Sequence, residues 1–199
     1  MDERRRIQRA LAIIANAAKD SGISWVVGGS AGLLLRGIPL PEMPRDLDLY
    51  ADIGDADLLH ERLLPYATDQ QAVSETPIYL SKLSHYRIAG IAIELVGGFV
   101  ITARNCRYEV EVRNCLLPRA AACGMIEAEA SLVPLAHELW FNVLRERYDR
   151  VAVIAEAIRR EPQAHLDALH ELEQRNEFTS ELIAQVHHSL GIQRAVNRV

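Results

Sequence analysis

Residues 25–50 constrain this chain more than any other stretch, because two chemically demanding segments lie close together there. The stretch opens with an apolar run at residues 25–27, which predicts a short buried strand. Gly28, Gly29 and Ser30 follow, and then a run at residues 31–35 that predicts a helix. Such a turn lets the backbone approach a ligand closely and presents N–H groups to it, as a phosphate site requires. The sequence therefore predicts a phosphate-binding turn at residues 28–30.

The second demanding segment is residues 46–50, where aspartates alternate with leucines. Successive side chains of a strand point to opposite faces, so Asp46 and Asp48 share one face, opposite the two leucines. Two carboxylates held side by side repel each other, and each resists desolvation. A divalent cation relieves both costs, and magnesium prefers one or two carboxylates together with phosphates and water. The two segments together predict a nucleotide site with bound magnesium.

The glycine turn followed by Asp46-x-Asp48 resembles the signature of the nucleotidyltransferase superfamily. Its members include small antibiotic adenylyltransferases and the toxin-type nucleotidyltransferases of the AbiEii group. In that family a later strand supplies a third carboxylate, and the best match in this chain is Glu94, within the alternating run at residues 91–96. The resemblance covers residues 23–97 and extends more loosely to a later helix.

The resemblance implies an α/β (α+β) fold, in which helices flank a nucleotidyltransferase-like mixed β-sheet. We expect residues 1–130 to form that domain and residues 131–199 to form a helical C-terminal region. Gly97 and Gly98 are expected to turn the chain between two strands. Periodicity and turn residues predict helices at 3–21, 31–35, 52–64, 132–161, 164–175 and 179–195, strands at 25–27, 46–50, 78–88, 91–96, 99–102 and 108–112, and a surface loop at 66–77.

The resemblance also implies an activity, the transfer of a nucleoside monophosphate from a nucleoside triphosphate to a hydroxyl of an acceptor, with release of pyrophosphate. The expected donor is ATP, and the expected acceptor is a small molecule. Asp46 and Asp48 would hold one or two magnesium ions. Glu94 would either bind the second ion or deprotonate the acceptor, and the sequence leaves both roles open.

Nucleotide binding is expected at the glycine turn and at two arginines. The turn would cradle the β and γ phosphates, and Arg45 directly precedes the acidic strand. Arg147 and Asp149 resemble an Arg-Asp or Lys-Asp pair that family members carry on a later helix near the active site. The same two residues also fit an exposed ladder of charge pairs along a helix, so both interpretations stay open.

Two other functions fit the same residues. One is a toxin-type nucleotidyltransferase that modifies tRNA or a protein and is neutralised by an antitoxin partner. The other is a nucleotide-binding protein without catalytic activity, which the three intact carboxylates disfavour. A net charge of −5 over 199 residues disfavours a nucleic acid as the acceptor. A second copy of the chain is a further candidate partner.

The cysteines and the N-terminal sequence predict a cytoplasmic protein. Cys106, Cys115 and Cys123 lack CxxC spacing, and the charged N-terminus lacks the features of a secretory signal. We therefore expect free thiols in a reducing compartment. The longest uncharged run, residues 23–35, falls short of the ~20 apolar residues that span a bilayer, so no membrane contact is expected.

Overall fold

The computed structural model describes residues 3–124 and 129–192, in which helices pack on both faces of one β-sheet. The helices are α1 (Glu3–Ala18), α2 (Gly29–Leu35), α3 (Ile53–Leu63), α4 (Leu135–Leu144), α5 (Tyr148–Arg160), α6 (Gln163–Arg175) and α7 (Ser180–Leu190). The strands are β1 (Trp25–Gly28), β2 (Asp46–Ala51), β3 (Ala72–Glu75), β4 (Tyr79–Ile88), β5 (Ile91–Ala103), β6 (Cys106–Glu109), β7 (Ala121–Gly124) and β8 (Glu129–Leu132).

The sheet has the strand order β3-β4-β5-β2-β1-β8-β7, and β6 pairs with the last part of β5. β2 is parallel to β5 and β1 is parallel to β8, whereas the other neighbours are antiparallel. The predicted mixed sheet, flanked by helices and followed by a helical C-terminal part, is confirmed. Because β2 and β5 are direct neighbours, the acidic strand lies beside the strand that carries Glu94.

The two faces of the sheet bury different apolar clusters, and β2 contributes to both. Leu47 and Leu49 pack with side chains of α1 and α3 on one face. Tyr50 belongs to the cluster on the other face, together with side chains of α4. Asp46 and Asp48 alternate with the leucines, so their side chains point to the α4 face. The acidic side chains therefore lie between the sheet and α4.

β5 is longer than predicted, because Gly97 and Gly98 lie inside the strand and do not turn the chain. A Cβ on Gly97 would lie 2.6 Å from Cβ of Ala56, and one on Gly98 would lie 2.3 Å from Cγ1 of Ile53. The two glycines thus let α3 pack closely against the strand, and the predicted turn is wrong. The predicted loop at residues 66–77 also contains a strand, the exposed edge strand β3.

The predicted helix between residue 132 and Pro162 is divided in two. α4 ends at Leu144 and α5 begins at Tyr148. Between them Glu146 has a φ of 56°, a left-handed conformation that a continuing right-handed helix does not contain. Arg147 therefore lies immediately before the first turn of α5, and not in the middle of a long helix.

Some sequence-based boundaries shift in the structure. The predicted strand at residues 108–112 is replaced by β6 and a short helical turn at Val112–Leu116. The predicted domain boundary after residue 130 falls inside β8, which pairs with β1, and the division into two domains stays a prediction. The end of the predicted last helix lies outside the described residues. Within those residues, no helix is long and apolar enough to cross a membrane.

Candidate active site

Three carboxylates from two neighbouring strands meet at one cavity. Asp46 and Asp48 lie on β2, and Glu94 lies on β5. The parallel register places Asp48 beside Glu94 and Asp46 beside Ala92, so the three acidic side chains leave the same face of the sheet. They line a cavity of about 550 Å³ whose other walls include α2, α4 and the start of α5. The structure thus brings together the three residues that the sequence singled out as catalytic.

Asp48 is held in surroundings that oppose its ionisation. Burial raises its pKa to about 8, and the negative charges of Asp46, Glu94 and Glu138 add to that rise. The positive charge of Arg145 acts in the opposite direction. No hydrogen bond from a described residue stabilises the ionised form of Asp48, so a cation placed beside it would be favourable.

Glu94 faces both the cavity and a histidine of β4. Burial raises the pKa of Glu94, and the charge of Asp46 adds to the rise, while His85 acts in the opposite direction. His85 Nε2 lies 3.8 Å from Glu94 Oε1. Asp69 accepts a hydrogen bond from the backbone N–H of His85 at 2.8 Å and also contacts its ring Nδ1. Among the described residues, the ion-pair partner of Glu94 is therefore this histidine and not an arginine.

The predicted phosphate-binding turn packs against Asp48. Gly29 has a φ of 64°, and a Cβ at this position would lie 1.8 Å from Asp48 Oδ2. A Cβ on Gly28 would lie 2.5 Å from the ring of Tyr50. Glycine is needed at both positions so that the turn can approach the acidic strand. Ser30, the next residue of the turn, lines the cavity.

The N–H group of Gly29 is already used, because it donates a hydrogen bond to Oε1 of Glu138 at 2.6 Å. Glu138 lies on α4 and is only 2 % exposed. Burial raises its pKa to about 7, while the Gly29 N–H and the charges of Arg36 and Arg145 oppose the rise. The sequence analysis missed this residue. The signal was present, since a lone carboxylate within the apolar run Leu135–Leu144 requires a partner.

The two arginines predicted to bind nucleotide lie at the exposed part of the cavity. Both line it. The side chain of Arg45 is 88 % exposed and lies 3.7 Å from Glu42. Arg147 donates to Asp149 at 3.4 Å, so the predicted Arg-Asp pair exists as an exposed pair at the start of α5. Their roles in binding stay predictions.

Two further arginines of the cavity, Arg145 and Arg150, were missed by the sequence analysis. The Arg145 guanidinium lies 4.5 Å from the centroid of the Phe141 ring, and its charge acts on both Asp48 and Glu138. Arg150 has a buried Nη1 that finds no hydrogen-bond partner in the described part of the chain. Leaving such a donor unpaired costs about 1–3 kcal/mol, which an anionic ligand would recover.

Aromatic rings and hydroxyl groups complete the lining of the cavity. The Phe99 ring centroid lies 6.1 Å from that of Tyr50, 5.5 Å from that of Tyr79 and 5.6 Å from that of Phe141. The β3–β4 hairpin adds three hydroxyl side chains, which belong to Ser74, Thr76 and Ser81. The cavity therefore combines an acidic wall, a basic wall and an aromatic surface.

Comparisons with known proteins identify relatives by structure alone. No protein-family model and no curated protein sequence matches the chain. A protein from Thermotoga maritima, described as a nucleotidyltransferase, has a TM-score of 0.62 at 18% identity over 81% of this chain and 97% of its own. The antibiotic-resistance factor ANT(2'')-Ia has a TM-score of 0.50 at 13% identity over 94% of this chain and 99% of its own.

The TM-scores indicate a common fold, and at such low identities the likeness shows the fold alone. The expectation drawn from the glycine turn and the Asp46-x-Asp48 motif is confirmed at the level of the fold. The chain shares its fold with the Thermotoga maritima protein and with ANT(2'')-Ia.

Proposed function

We propose that this protein is a magnesium-dependent nucleotidyltransferase that transfers a nucleoside monophosphate from a nucleoside triphosphate to a hydroxyl of a small molecule. One observation carries the proposal: Asp46, Asp48 and Glu94 line the same cavity as the arginines of the α4–α5 junction. Carboxylates suit a magnesium ion, and arginines suit phosphates. The fold shared with the Thermotoga maritima protein supports this assignment.

Asp46 and Asp48 are the residues that would hold magnesium. When bound, the ion would supply positive charge that stabilises the triphosphate and the leaving pyrophosphate. These side chains fit magnesium chemically, because their donor atoms are carboxylate oxygens. The burial and the negative charges that raise the pKa of Asp48 would be offset by a nearby cation. Across residues 3–124 and 129–192, no three His, Cys, Asp or Glu side chains form a ready metal cage. Magnesium generally completes its shell with phosphates and water and needs no such cage.

Glu94 is placed to accept the proton of the acceptor hydroxyl. The hydroxyl oxygen then forms a bond to the α-phosphorus, and the bond from that phosphorus to the oxygen shared with the β-phosphate breaks. Pyrophosphate departs with the electron pair of that bond, and the proton remains on Glu94. Burial and the charge of Asp46 raise the pKa of Glu94, which suits a general base that works near neutral pH.

Arg145 and Arg150 are the side chains best placed to hold the β and γ phosphates. Nη1 of Arg150 is a buried donor without an acceptor among the described residues. The positive charge of Arg145 lowers the pKa of Asp48, so Arg145 also lies within electrostatic range of the acidic wall. Arg147 already bonds to Asp149, so it has less to gain from a phosphate. Because the four arginines and the three carboxylates share one cavity, the same ligand can touch both groups.

The volume and lining of the cavity support a small polar molecule as the acceptor. About 550 Å³ lies within the range of roughly 300–1,000 Å³ that is typical of small-molecule sites. The aromatic rings offer a flat apolar surface, and the hydroxyls of the β3–β4 hairpin offer hydrogen bonds. The structural neighbour ANT(2'')-Ia is an antibiotic-resistance factor, which supports testing hydroxylated antibiotics first.

The test is transfer of label from nucleoside triphosphates labelled at the α-phosphate. The purified protein is incubated with each triphosphate and a panel of hydroxylated antibiotics, tRNA or cell extract, with magnesium or with EDTA. We expect magnesium-dependent labelling of a small molecule with one pyrophosphate released per transfer. Glu156→Gln, an exposed change on α5, should leave transfer intact. Absence of both magnesium-triphosphate binding and transfer would refute the proposal, and label in tRNA or protein would refute the small-molecule acceptor.

A further inference from the structure

We infer that Glu138 is a positioning residue of this site, whose carboxylate holds the Gly28–Gly29 turn in place against Asp48. The inference rests on the proposed function, because it assigns Glu138 a part in presenting the metal-binding carboxylate. It concerns a residue that no motif of the sequence indicates. The inference follows from one hydrogen bond, from the packing on both sides of the turn and from the charges around Glu138.

The hydrogen bond joins two distant parts of the chain. Gly29 donates its N–H to Glu138 Oε1 at 2.6 Å, across 109 residues of sequence. Gly29 is the first residue of α2, whose first N–H groups have no partner within the helix. An oxygen of the Glu138 side chain supplies the acceptor that this N–H needs. Glu138 therefore fixes the residue at which the turn passes into the helix.

Packing on both sides of the turn converts that hydrogen bond into a constraint on Asp48. Gly29 lies so close to Asp48 that an added Cβ would be 1.8 Å from Oδ2. On Gly28 an added Cβ would be 2.5 Å from the Tyr50 ring and 3.0 Å from Glu138 Oε1. The turn is thus held between β2 and Glu138. A shift of the turn would change the space available to the Asp48 side chain.

Glu138 is itself held rigidly. All ten residues of α4 are buried, so the side chain starts from a fixed backbone. Arg36, Arg145 and Arg150 supply positive charge around it, and Arg36 is anchored by its bond to the carbonyl of Val133 at 2.5 Å. The Gly29 N–H is occupied by this carboxylate. A bound triphosphate would therefore be contacted by Ser30 and by the arginines of the α4–α5 junction.

Three variants of Glu138 separate the hydrogen bond from the charge and from general stability. Glu138→Gln keeps an oxygen that can accept the Gly29 N–H. Glu138→Asp keeps the charge on a side chain too short to reach it, and Glu138→Ala removes both. Leu169→Ala is the matched control, because it removes buried packing from α6 and leaves the cavity lining unchanged. Binding of magnesium with an uncleavable ATP analogue is measured by calorimetry, and hydrogen exchange of the Gly29 amide is measured by NMR.

We expect Glu138→Asp and Glu138→Ala to weaken binding of the magnesium complex roughly 10- to 100-fold, the usual effect of losing a group that orients a metal ligand. The Gly29 amide should exchange faster in both. Glu138→Gln should bind and exchange like wild type, and Leu169→Ala should melt earlier with unchanged binding. Wild-type binding by Glu138→Asp would overturn the inference, as would equal damage from Glu138→Gln. If the wild type binds no magnesium complex, the proposed function fails, and the Gly29 exchange rates still decide whether Glu138 holds the turn.

Discussion

The two walls of the cavity differ in how the sequence builds them. The sheet wall consists of Asp46, Asp48 and Glu94, which the parallel register of β2 and β5 places side by side. The helical wall consists of Glu138 from α4 and of Arg145 and Arg150 from the α4–α5 junction. Strand alternation places the side chains of the first wall on one face of each strand, and the family resemblance assigns Glu94 to the two aspartates. The second wall depends on where a helix stops and which part of the sheet it meets, and neither alternation nor the resemblance supplies that information.

The two walls also differ in their charge balance. The sheet wall carries like charges, and burial together with Asp46 raises the pKa of both Asp48 and Glu94. The helical wall pairs one buried carboxylate with positive charge, and its unsatisfied group is a donor. A cation would therefore stabilise the sheet wall, and an anion would stabilise the helical wall. A magnesium triphosphate contains both a cation and an anion. Mutation of one wall at a time can therefore measure how much each wall contributes to its binding.

The largest expected effect comes from removing a charge of the sheet wall. Asp48→Asn should abolish measurable binding of a magnesium triphosphate, because the variant cannot offer a carboxylate to the ion, and should leave the protein folded, because burial and acidic neighbours already oppose the ionised form of Asp48. Calorimetry with and without magnesium, together with a thermal melt, measures both quantities. Asp46→Asn should behave in the same way. Binding like that of wild type in both variants would show that the metal lies elsewhere.

A smaller effect is expected when the sheet wall loses its base and keeps its shape. Glu94→Gln should reduce turnover by roughly 10²–10⁴-fold, the usual contribution of a positioned general base. Triphosphate affinity should stay within a few-fold of wild type if Glu94 is the base. The measurement compares the rate of transfer with the dissociation constant. A parallel loss of metal affinity would instead identify Glu94 as a ligand of the ion.

Within the helical wall, Arg145→Ala should weaken triphosphate binding more than Arg147→Ala does. Losing a hydrogen bond to a charged group costs about 1.5–3 kcal/mol, or roughly 10- to 150-fold in affinity. Arg147 is exposed and already bonded to Asp149, so we expect only a few-fold change from its loss. Titrations of both variants with the triphosphate and the monophosphate would test this order, and equal effects would contradict it.

The last expected effect is a pH dependence of stability in the sheet wall, which can be measured without any ligand. Folding raises the pKa of Asp48 to about 8, so the folded state holds a proton that the unfolded chain has released at any pH between about 4 and 8. Stability contributed by this group therefore falls as the pH rises through that window. Thermal melts in EDTA should show wild type losing stability relative to Asp48→Asn from pH 5 to pH 8. A constant difference would contradict the raised pKa.

The sequence predicts the fold and the sheet wall because the motifs resemble a known family and because alternation fixes the faces of the strand side chains. Leu47 and Leu49 face the α1–α3 cluster, and Asp46 and Asp48 must then face the other way. The turn predicted at Gly97 and Gly98 was wrong, because the sequence does not show that α3 packs against this glycine pair within the strand. β3 was missed because it is short, polar and exposed.

The helix break and the contacts of the helical wall could not be predicted, for two physical reasons. The break between α4 and α5 occurs at Glu146, which adopts a positive φ without a glycine or proline to signal it. With an unbroken helix, Arg145 and Arg150 belong to an exposed charge ladder. Glu138 meets its partner across 109 residues, a distance over which neither periodicity nor motif spacing carries information.

The long separation between Gly29 and Glu138 has a consequence for the order in which the site forms during synthesis. The chain has already presented all three carboxylates when it emerges up to Glu94, but β1 still lacks its neighbour β8 and Gly29 still lacks its acceptor. Contacts between distant residues close long loops and form slowly. The glycine turn is therefore fixed only after α4 has emerged, and a nascent chain that stops before α4 carries the acidic side chains without the group that orients the turn beside them.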